Sequence, residues 1–204
     1  MKMLLFIIPA ILLAVAAWMY ADATMHGNTS KTETAADLQP QRVLIAYYSW
    51  GGTTRHAAEE IQRCTGGTLL EIRPVTPYPE DYDTCVQKAK EDIRAGVRPA
   101  LIPENTGVDM TAYDTIFVGS PNWWSTIAPP VATFLAQNDL SGKKVAFFQT
   151  HGGGGMANCE RHARALMPKA TFLGSISLRD IQKDSFAEAI SAWVKGLKKE
   201  KNDK

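Results

Sequence analysis

The chain of 204 residues carries 22 Lys and Arg against 21 Asp and Glu, a formal charge of +1. That length suits one domain with one substantial core and excludes a multidomain machine. Hydrophobic residues at 45% and charged residues at 21% exclude a wholly disordered chain and a polytopic membrane protein, and the near-zero charge argues against a nucleic-acid binder.

Lys2 precedes the apolar run Leu4 to Tyr20, and Ala21-Asp22-Ala23 offers the small residues that a signal peptidase needs. Residues 1–23 are therefore predicted to be a signal peptide, with a single uncleaved N-terminal membrane anchor as the alternative, since the run just suffices for a tilted span. Either outcome makes the protein exported, periplasmic or otherwise extracytoplasmic. Residues 24–40 are rich in Thr, Ser, Asp, Asn and Gln and read as a flexible linker, which assigns the folded domain to residues 41–200.

Val43 to Tyr48 is a continuous apolar run, too short for a globular helix and typical of a strand covered on both faces. Gly51 and Gly52 break the chain, and Thr53 to Arg63 then carries Ala57, Ala58 and Ile61 on one helical stripe. Thr68 to Ile72 predicts a second strand, and after Pro74, Pro77 and Pro79 a helix is expected from about Asp83 to Ala95 with Val86, Ala89 and Ile93 inward. Pro99 and Pro103 mark a loop. Thr115 to Gly119 predicts the third strand, Ser120 to Thr126 a loop, and Pro130 a helix start with Val131, Phe134 and Leu135 on one face.

Lys144 to Gln149 is the fourth strand and Thr171 to Leu173 the fifth, with a helix from Ala157 to Leu166 between them. The last helix, about Asp184 to Leu197, places Ile190, Trp193, Val194 and Leu197 on one stripe for the core, and the basic run Lys195 to Lys201 is its solvated end. Five strands alternating with five helices predict one open parallel sheet with helices on both faces and right-handed crossovers. Such sheets bind ligands beyond the carboxyl ends of their strands, here the ends next to Ser49, Ser120 and Thr150.

Ser49-Trp50-Gly51-Gly52-Thr53-Thr54 joins a strand to a helix start, so hydroxyls and unpaired amides surround a point where the helix dipole favours an anion. A tight turn with an ordinary helix cap is the competing reading. The nucleotide-triphosphate loop with its lysine and the G-x-G-x-x-G dinucleotide motif are both missing, which points to a small ligand with one phosphate. Ser120-Pro121-Asn122-Trp123-Trp124 and Thr150-His151-Gly152-Gly153 are the other two decorated loops. Neighbouring tryptophans on extended chain point oppositely, so Trp123 and Trp124 are either a ligand wall or one core and one surface residue. Cys64, Cys85 and Cys159 are odd in number and lack a C-x-x-C spacing, so at least one is free and no metal site is predicted.

On these loops, and on Pro77-Tyr78-Pro79-Glu80-Asp81-Tyr82 before its helix, the chain from Gln41 to Leu197 resembles the flavodoxin family, specifically short-chain bacterial members, some of which lie behind export leaders. The resemblance implies a flavodoxin-like, doubly wound, three-layer α/β/α fold with strand order 2-1-3-4-5. It implies FMN as cofactor, with its phosphate held by Ser49, Gly51, Gly52, Thr53 and Thr54 and its ring stacked on Trp123 or Trp124. Trp50 is expected to reach a phosphate oxygen with its indole N–H or to cover the loop. His151 and the glycines stand where a stacking tyrosine is often found, which leaves the second ring face open, with the backbone of Gly152 to Gly155 facing the ring edge. His151 is the candidate proton donor or substrate contact.

The implied function is electron transfer between redox partner proteins. An FMN-dependent reductase of a quinone or other small-molecule acceptor, NAD(P)H-linked, is the alternative, and a non-redox binding protein that kept the fold is a third reading. The charge of +1 sets this chain apart from the acidic flavodoxins and leaves its partner and oligomeric state open.

Overall fold

The computed structural model describes residues 42–202. The predicted leader and linker lie outside the described residues, and among the described ones no helix is long and apolar enough to cross a membrane. In chain order the elements are β1 (Val43–Tyr47), α1 (Thr53–Thr65), β2 (Thr68–Glu71), α2 (Tyr82–Arg94), β3 (Thr115–Trp123), β4 (Thr126–Ile127), α3 (Pro129–Gln137), β5 (Lys144–His151), α4 (Cys159–Ala165), β6 (Thr171–Arg179) and α5 (Phe186–Asn202).

The parallel strands lie in the order β2-β1-β3-β5-β6. With the antiparallel β4 set aside, this is the predicted 2-1-3-4-5 order. Successive side chains of a strand point to opposite faces. Leu44 and Ala46 accordingly enter one core with Cys85 and Ala89 of α2, Phe134 of α3 and Ala163 of α4. Val43, Ile45 and Tyr47 enter the other with Ala57 and Ile61 of α1 and Ile190 and Val194 of α5. Both faces of β1 are thus covered, which is why its sequence is apolar throughout rather than alternating. Each large aliphatic side chain buried there stabilises the fold by about 1.5–3 kcal/mol relative to exposure.

Gly119 faces Phe148 across the β3–β5 pair, and a Cβ on Gly119 would sit 2.2 Å from the Phe148 ring. Only glycine lets that phenylalanine lie flat over the sheet beside the site. Trp193, expected in the core, is half-buried and packs edge-on against Phe117 at 5.6 Å between ring centres.

Four boundaries differ from expectation. Residues Ser120–Thr126 are not a loop: β3 runs on to Trp123, turns through Trp124 and Ser125, and pairs antiparallel with β4. β6 extends to Arg179 because Gly174, at φ 141°, bends the edge strand without ending it, and the pairing slips one residue there. α4 starts at Cys159, since Ala157 takes a left-handed φ of 46° that no helix contains. α5 starts at Phe186, after a 3-10 segment over Asp180–Ser185. Cys64, Cys85 and Cys159 are all unpaired thiols.

Candidate active site

The connections leaving β1, β3 and β5, together with the first turns of α2, enclose one cleft of about 550 Å³ at the carboxyl edge of the sheet. Its volume falls in the ordinary range for small-ligand sites, about 300–1,000 Å³. Of the predicted site residues, Ser49, Trp50, Gly51, Thr53, Thr54, Pro121, Asn122, Trp123, Trp124, Thr150, His151 and Gly152 line it. Gly52, Ser120 and Gly153 do not. Ser120 is fully buried and structural: its hydroxyl accepts from Ala128 N at 2.9 Å and donates to Pro121 O at 2.8 Å, fixing the chain into α3.

At one end of the cleft, Gly52 turns the backbone into α1 with φ 84°, a left-handed value that favours glycine. No side chain caps this helix, and the first bond closing it runs from His56 N to Gly52 O at 3.0 Å. The preceding amides are left as free donors beside the positive end of the helix dipole, so the turn with an ordinary side-chain cap is not what forms. Ser49 Oγ is buried there without any partner, a hydroxyl that costs free energy unless a ligand bonds it. The Thr54 and Thr150 hydroxyls share a hydrogen bond of 2.8 Å, which leaves one of their two protons for an acceptor in the cleft. Trp50 does not extend this donor set. Its Nε1 donates to Pro79 O at 2.9 Å and its ring lies 6.1 Å from Tyr82, so it covers the loop.

Another part of the lining is aromatic. Trp124 and Ser125 form the two-residue tip of the β3–β4 hairpin with φ values of 50° and 65°. Two positive φ angles are what such a tip requires, yet neither residue is glycine or asparagine, so the backbone is strained by about 1–2 kcal/mol per residue. The hairpin holds Trp124 48% exposed at the cleft mouth, where Nε1 donates to Val86 O at 3.2 Å and Lys90 sits 4.7 Å from its ring centre. Trp123 points the other way, edge-on to Tyr48 at 5.4 Å and to Tyr78 at 4.8 Å. The pair therefore divides into one residue packed on the core and one at the surface, and both border the cleft. Tyr78 is tied to Asp92 at 2.8 Å, and its phenol, like that of Tyr48, is pushed upward by burial and stays neutral.

The glycine loop is pinned rather than loose. Gly155 O accepts from Asn122 Nδ2 and Gln149 Nε2, each at 2.8 Å, and Gly155 N donates to His151 Nδ1 at 3.1 Å. Both polar groups of Gly155 are thereby used within the protein, and of the four glycines only Gly152 borders the cleft. Burial, with the nearby Arg179 charge, lowers the His151 pKa, partly opposed by Asp180, so its ring is neutral over more of the pH range than a free histidine. With Nδ1 accepting, Nε2 carries the proton.

Tyr82, Cys85, Val86, Ala89 and Asp180 also line the cleft and were not anticipated. Four of them belong to α2, a helix rather than a strand-end loop, and its Cys85 and Ala89 repeat at i, i+4 on the stripe toward the sheet. The Cys85 thiol is pushed up by burial and is not a nucleophile. Asp180 follows the unanticipated second half of β6.

The chain resembles several solved structures. A flavoprotein candidate from Bacteroides eggerthii is 28% identical with a TM-score of 0.66, covering 76% of this chain and 96% of that one. A flavoprotein from Lactobacillus acidophilus, solved in complex with FMN, is 27% identical with a TM-score of 0.58, covering 74% of this chain and 99% of that one. Among curated proteins, a probable NAD(P)H dehydrogenase (quinone) of Arabidopsis thaliana is 30% identical over 146 residues, 65% of this chain. The chain spans about half the length of that relative, 52%. Residues 42–197 match the sequence model of the flavodoxins, and with the sheet order and the strand-end cleft this places the chain in the flavodoxin family.

Proposed function

We propose that the chain binds FMN in this cleft and acts as a redox flavoprotein that passes electrons between partner proteins. The observation that carries the reading is the buried, unpartnered Ser49 hydroxyl beside the uncapped start of α1, in a cleft also lined by tryptophans. A phosphate satisfies both the hydroxyl and the free amides, and an apolar planar ring suits Trp124 and the apolar side chains of α2. The similar Lactobacillus acidophilus protein was solved with FMN, which supports the same cofactor here. When bound, FMN supplies the electron-transfer chemistry; the chain binds it, orients it and limits the approach of water.

A second reading, an FMN-dependent reductase of a quinone or another small acceptor, is favoured by the open aromatic lining of the cleft, where Tyr82 is 66% and Trp124 48% exposed. The name of the Arabidopsis relative points the same way. In that reading His151, with a proton on Nε2 at the cleft wall, is the candidate donor. The exported, extracytoplasmic location, with a cleaved leader or a single N-terminal anchor, is also part of the proposal and rests on the apolar run Leu4 to Tyr20. Sequencing the mature N-terminus tests it, with Thr24 as the first residue expected.

Absorption spectra of the purified protein supplied with FMN test the main reading. Shifted flavin bands with quenched fluorescence are expected, and unperturbed free-flavin spectra overturn both redox readings. Rapid NAD(P)H oxidation by the holoprotein with a quinone selects the reductase. Mediation only between proteins selects the carrier.

A further inference from the structure

Gln149 interrupts an apolar strand. Val145 to Phe148 of β5 are fully buried, and so is the Gln149 amide that follows them. A buried amide is costly unless its donors and its acceptor are engaged, and this one is engaged at both ends. Its Oε1 accepts from Ser177 Oγ of the edge strand β6 at 2.7 Å, and its Nε2 donates to Gly155 O at 2.8 Å. Gly155 O receives a second amide from β3, Asn122 Nδ2 at 2.8 Å, while Asn122 Oδ1 accepts from Ser125 N at the hairpin tip at 3.0 Å. Asn122 can come in this close because residue 154 is glycine: a Cβ there would stand 3.1 Å from Asn122 Nδ2, nearer than side chains ordinarily approach. A line of hydrogen bonds thus runs from β6 through β5 and the glycine loop to the β3–β4 hairpin, with Gly155 at its centre.

Both lone pairs of the Gly155 carbonyl are taken, and the residue is held at a left-handed φ of 61°. Its one remaining group, the N–H, donates to His151 Nδ1 at 3.1 Å. The tautomer of a histidine follows from the bond that its other nitrogen makes, so a fixed N–H aimed at Nδ1 keeps the ring proton off that atom and on Nε2. We infer that Gln149 and Asn122 are positioning residues that act through Gly155 to hold His151 as the Nε2–H tautomer, which makes the ring a hydrogen-bond donor at the cleft wall. A ligand group that meets Nε2 is then an acceptor, such as a carbonyl oxygen or an unprotonated ring nitrogen. The inference deepens the reductase reading, in which His151 is the donor, but the tautomer is a property of the ligand-free protein and is read without flavin.

Side-chain nitrogen NMR of the ligand-free protein at about pH 8.5, where histidines are neutral, reads the tautomer, with His151→Gln identifying the signal. Wild type is expected to hold His151 as Nε2–H in excess of the ratio of a free histidine. Loss of one hydrogen bond from the clamp predicts that the Nδ1–H fraction rises about fivefold in Asn122→Ala and in Gln149→Met, with the Gly155 amide exchanging faster by a similar factor. Ser177→Ala frees only the far end of Gln149 and should give a smaller rise, about twofold. An Nδ1–H tautomer or a free-histidine ratio in wild type overturns the inference, and so does an unchanged ratio with unchanged Gly155 exchange in the folded variants. Melting curves and an unshifted His56 signal check folding; should Gln149→Met not fold, Asn122→Ala and Ser177→Ala decide. If the tautomer behaves as expected and the FMN-loaded protein oxidises no NAD(P)H, the reductase reading fails and the inference stands.

Discussion

The two ends of the cleft are built on opposite principles. At the Ser49–Thr54 loop the protein leaves polar groups unsatisfied: a buried hydroxyl without a partner and a helix start without a cap. At the β3–β4 hairpin the two tryptophans are held by contacts within the protein itself. Trp123 packs edge-on against both Tyr48 and Tyr78, and Trp124 is bonded to Val86 O and covered by Lys90. The first end gains its free energy when a ligand arrives, while the second is assembled beforehand at the cost of two left-handed residues. Substitutions at the first should change affinity more than stability, and substitutions at the second the reverse.

The largest effect is expected from Trp123→Ala, which removes the indole packed on both Tyr48 and Tyr78. Large aromatic-to-alanine changes in cores cost about 3–5 kcal/mol, and because Trp123 is only partly buried, urea unfolding of the ligand-free protein should show a loss toward or below the lower end of that range. A loss confined to flavin affinity would erase the contrast between the two ends. Next comes Ser49→Ala. Removing an unpartnered buried hydroxyl should leave the ligand-free stability unchanged or slightly higher, while FMN affinity falls by about tenfold or more. A destabilised apoprotein with unaltered FMN binding would reverse the assignment.

Ser125→Gly should be smaller and opposite in sign, because glycine accepts φ 65° without strain. Strain relief of about 1–2 kcal/mol, offset in part by the entropy that glycine adds to the unfolded chain, predicts a small rise in the melting midpoint, with FMN affinity preserved since Trp124 keeps its own contacts. A gain in stability accompanied by lost affinity would mean that the strain itself holds Trp124 in place.

The smallest effect concerns pH. The folded pKa of His151 lies below its unfolded value, so the unfolded chain binds the proton first as pH falls. Stability from this group is present above the ordinary histidine range and is lost as pH falls through it toward the folded pKa. His162, also shifted down by burial, contributes in the same direction. His151→Gln should flatten the acid limb of a melting-temperature profile, and an unchanged slope would show that His151 is not shielded at the cleft wall.

The sheet was legible because hydrophobic burial writes itself into sequence directly. Val43 to Tyr47 is apolar throughout because both its faces are covered, and Ala57, Ala58 and Ile61 repeat as a helix stripe must. The strand order came from the family resemblance, and the matched span of residues 42–197 agrees with it. Continuations were harder. Gly174 reads as a strand end but is a bend within one, and Asp180, four residues beyond Ile176, was lost with the second half of β6. Trp124-Ser125 gives no turn signal, since its hairpin conformation goes against local preference and is held by tertiary contacts such as Asn158 N to Ser125 O at 3.1 Å. The contribution of α2 to the cleft was missed because loops, not helix faces, were the places where polar chemistry showed. Tyr82, an aromatic at a helix start and exposed to solvent, was the available clue.

The central claim is that the uncapped start of α1 with Ser49 receives the phosphate of a flavin whose ring faces the aromatic wall. Parallel fluorescence titrations of wild type and Ser49→Ala with FMN and with riboflavin test it most directly, since the two ligands differ only in the phosphate. The account predicts that wild type prefers FMN by about tenfold or more and that the substitution erases most of that preference while riboflavin affinity holds. Equal affinity of wild type for FMN and riboflavin would contradict it.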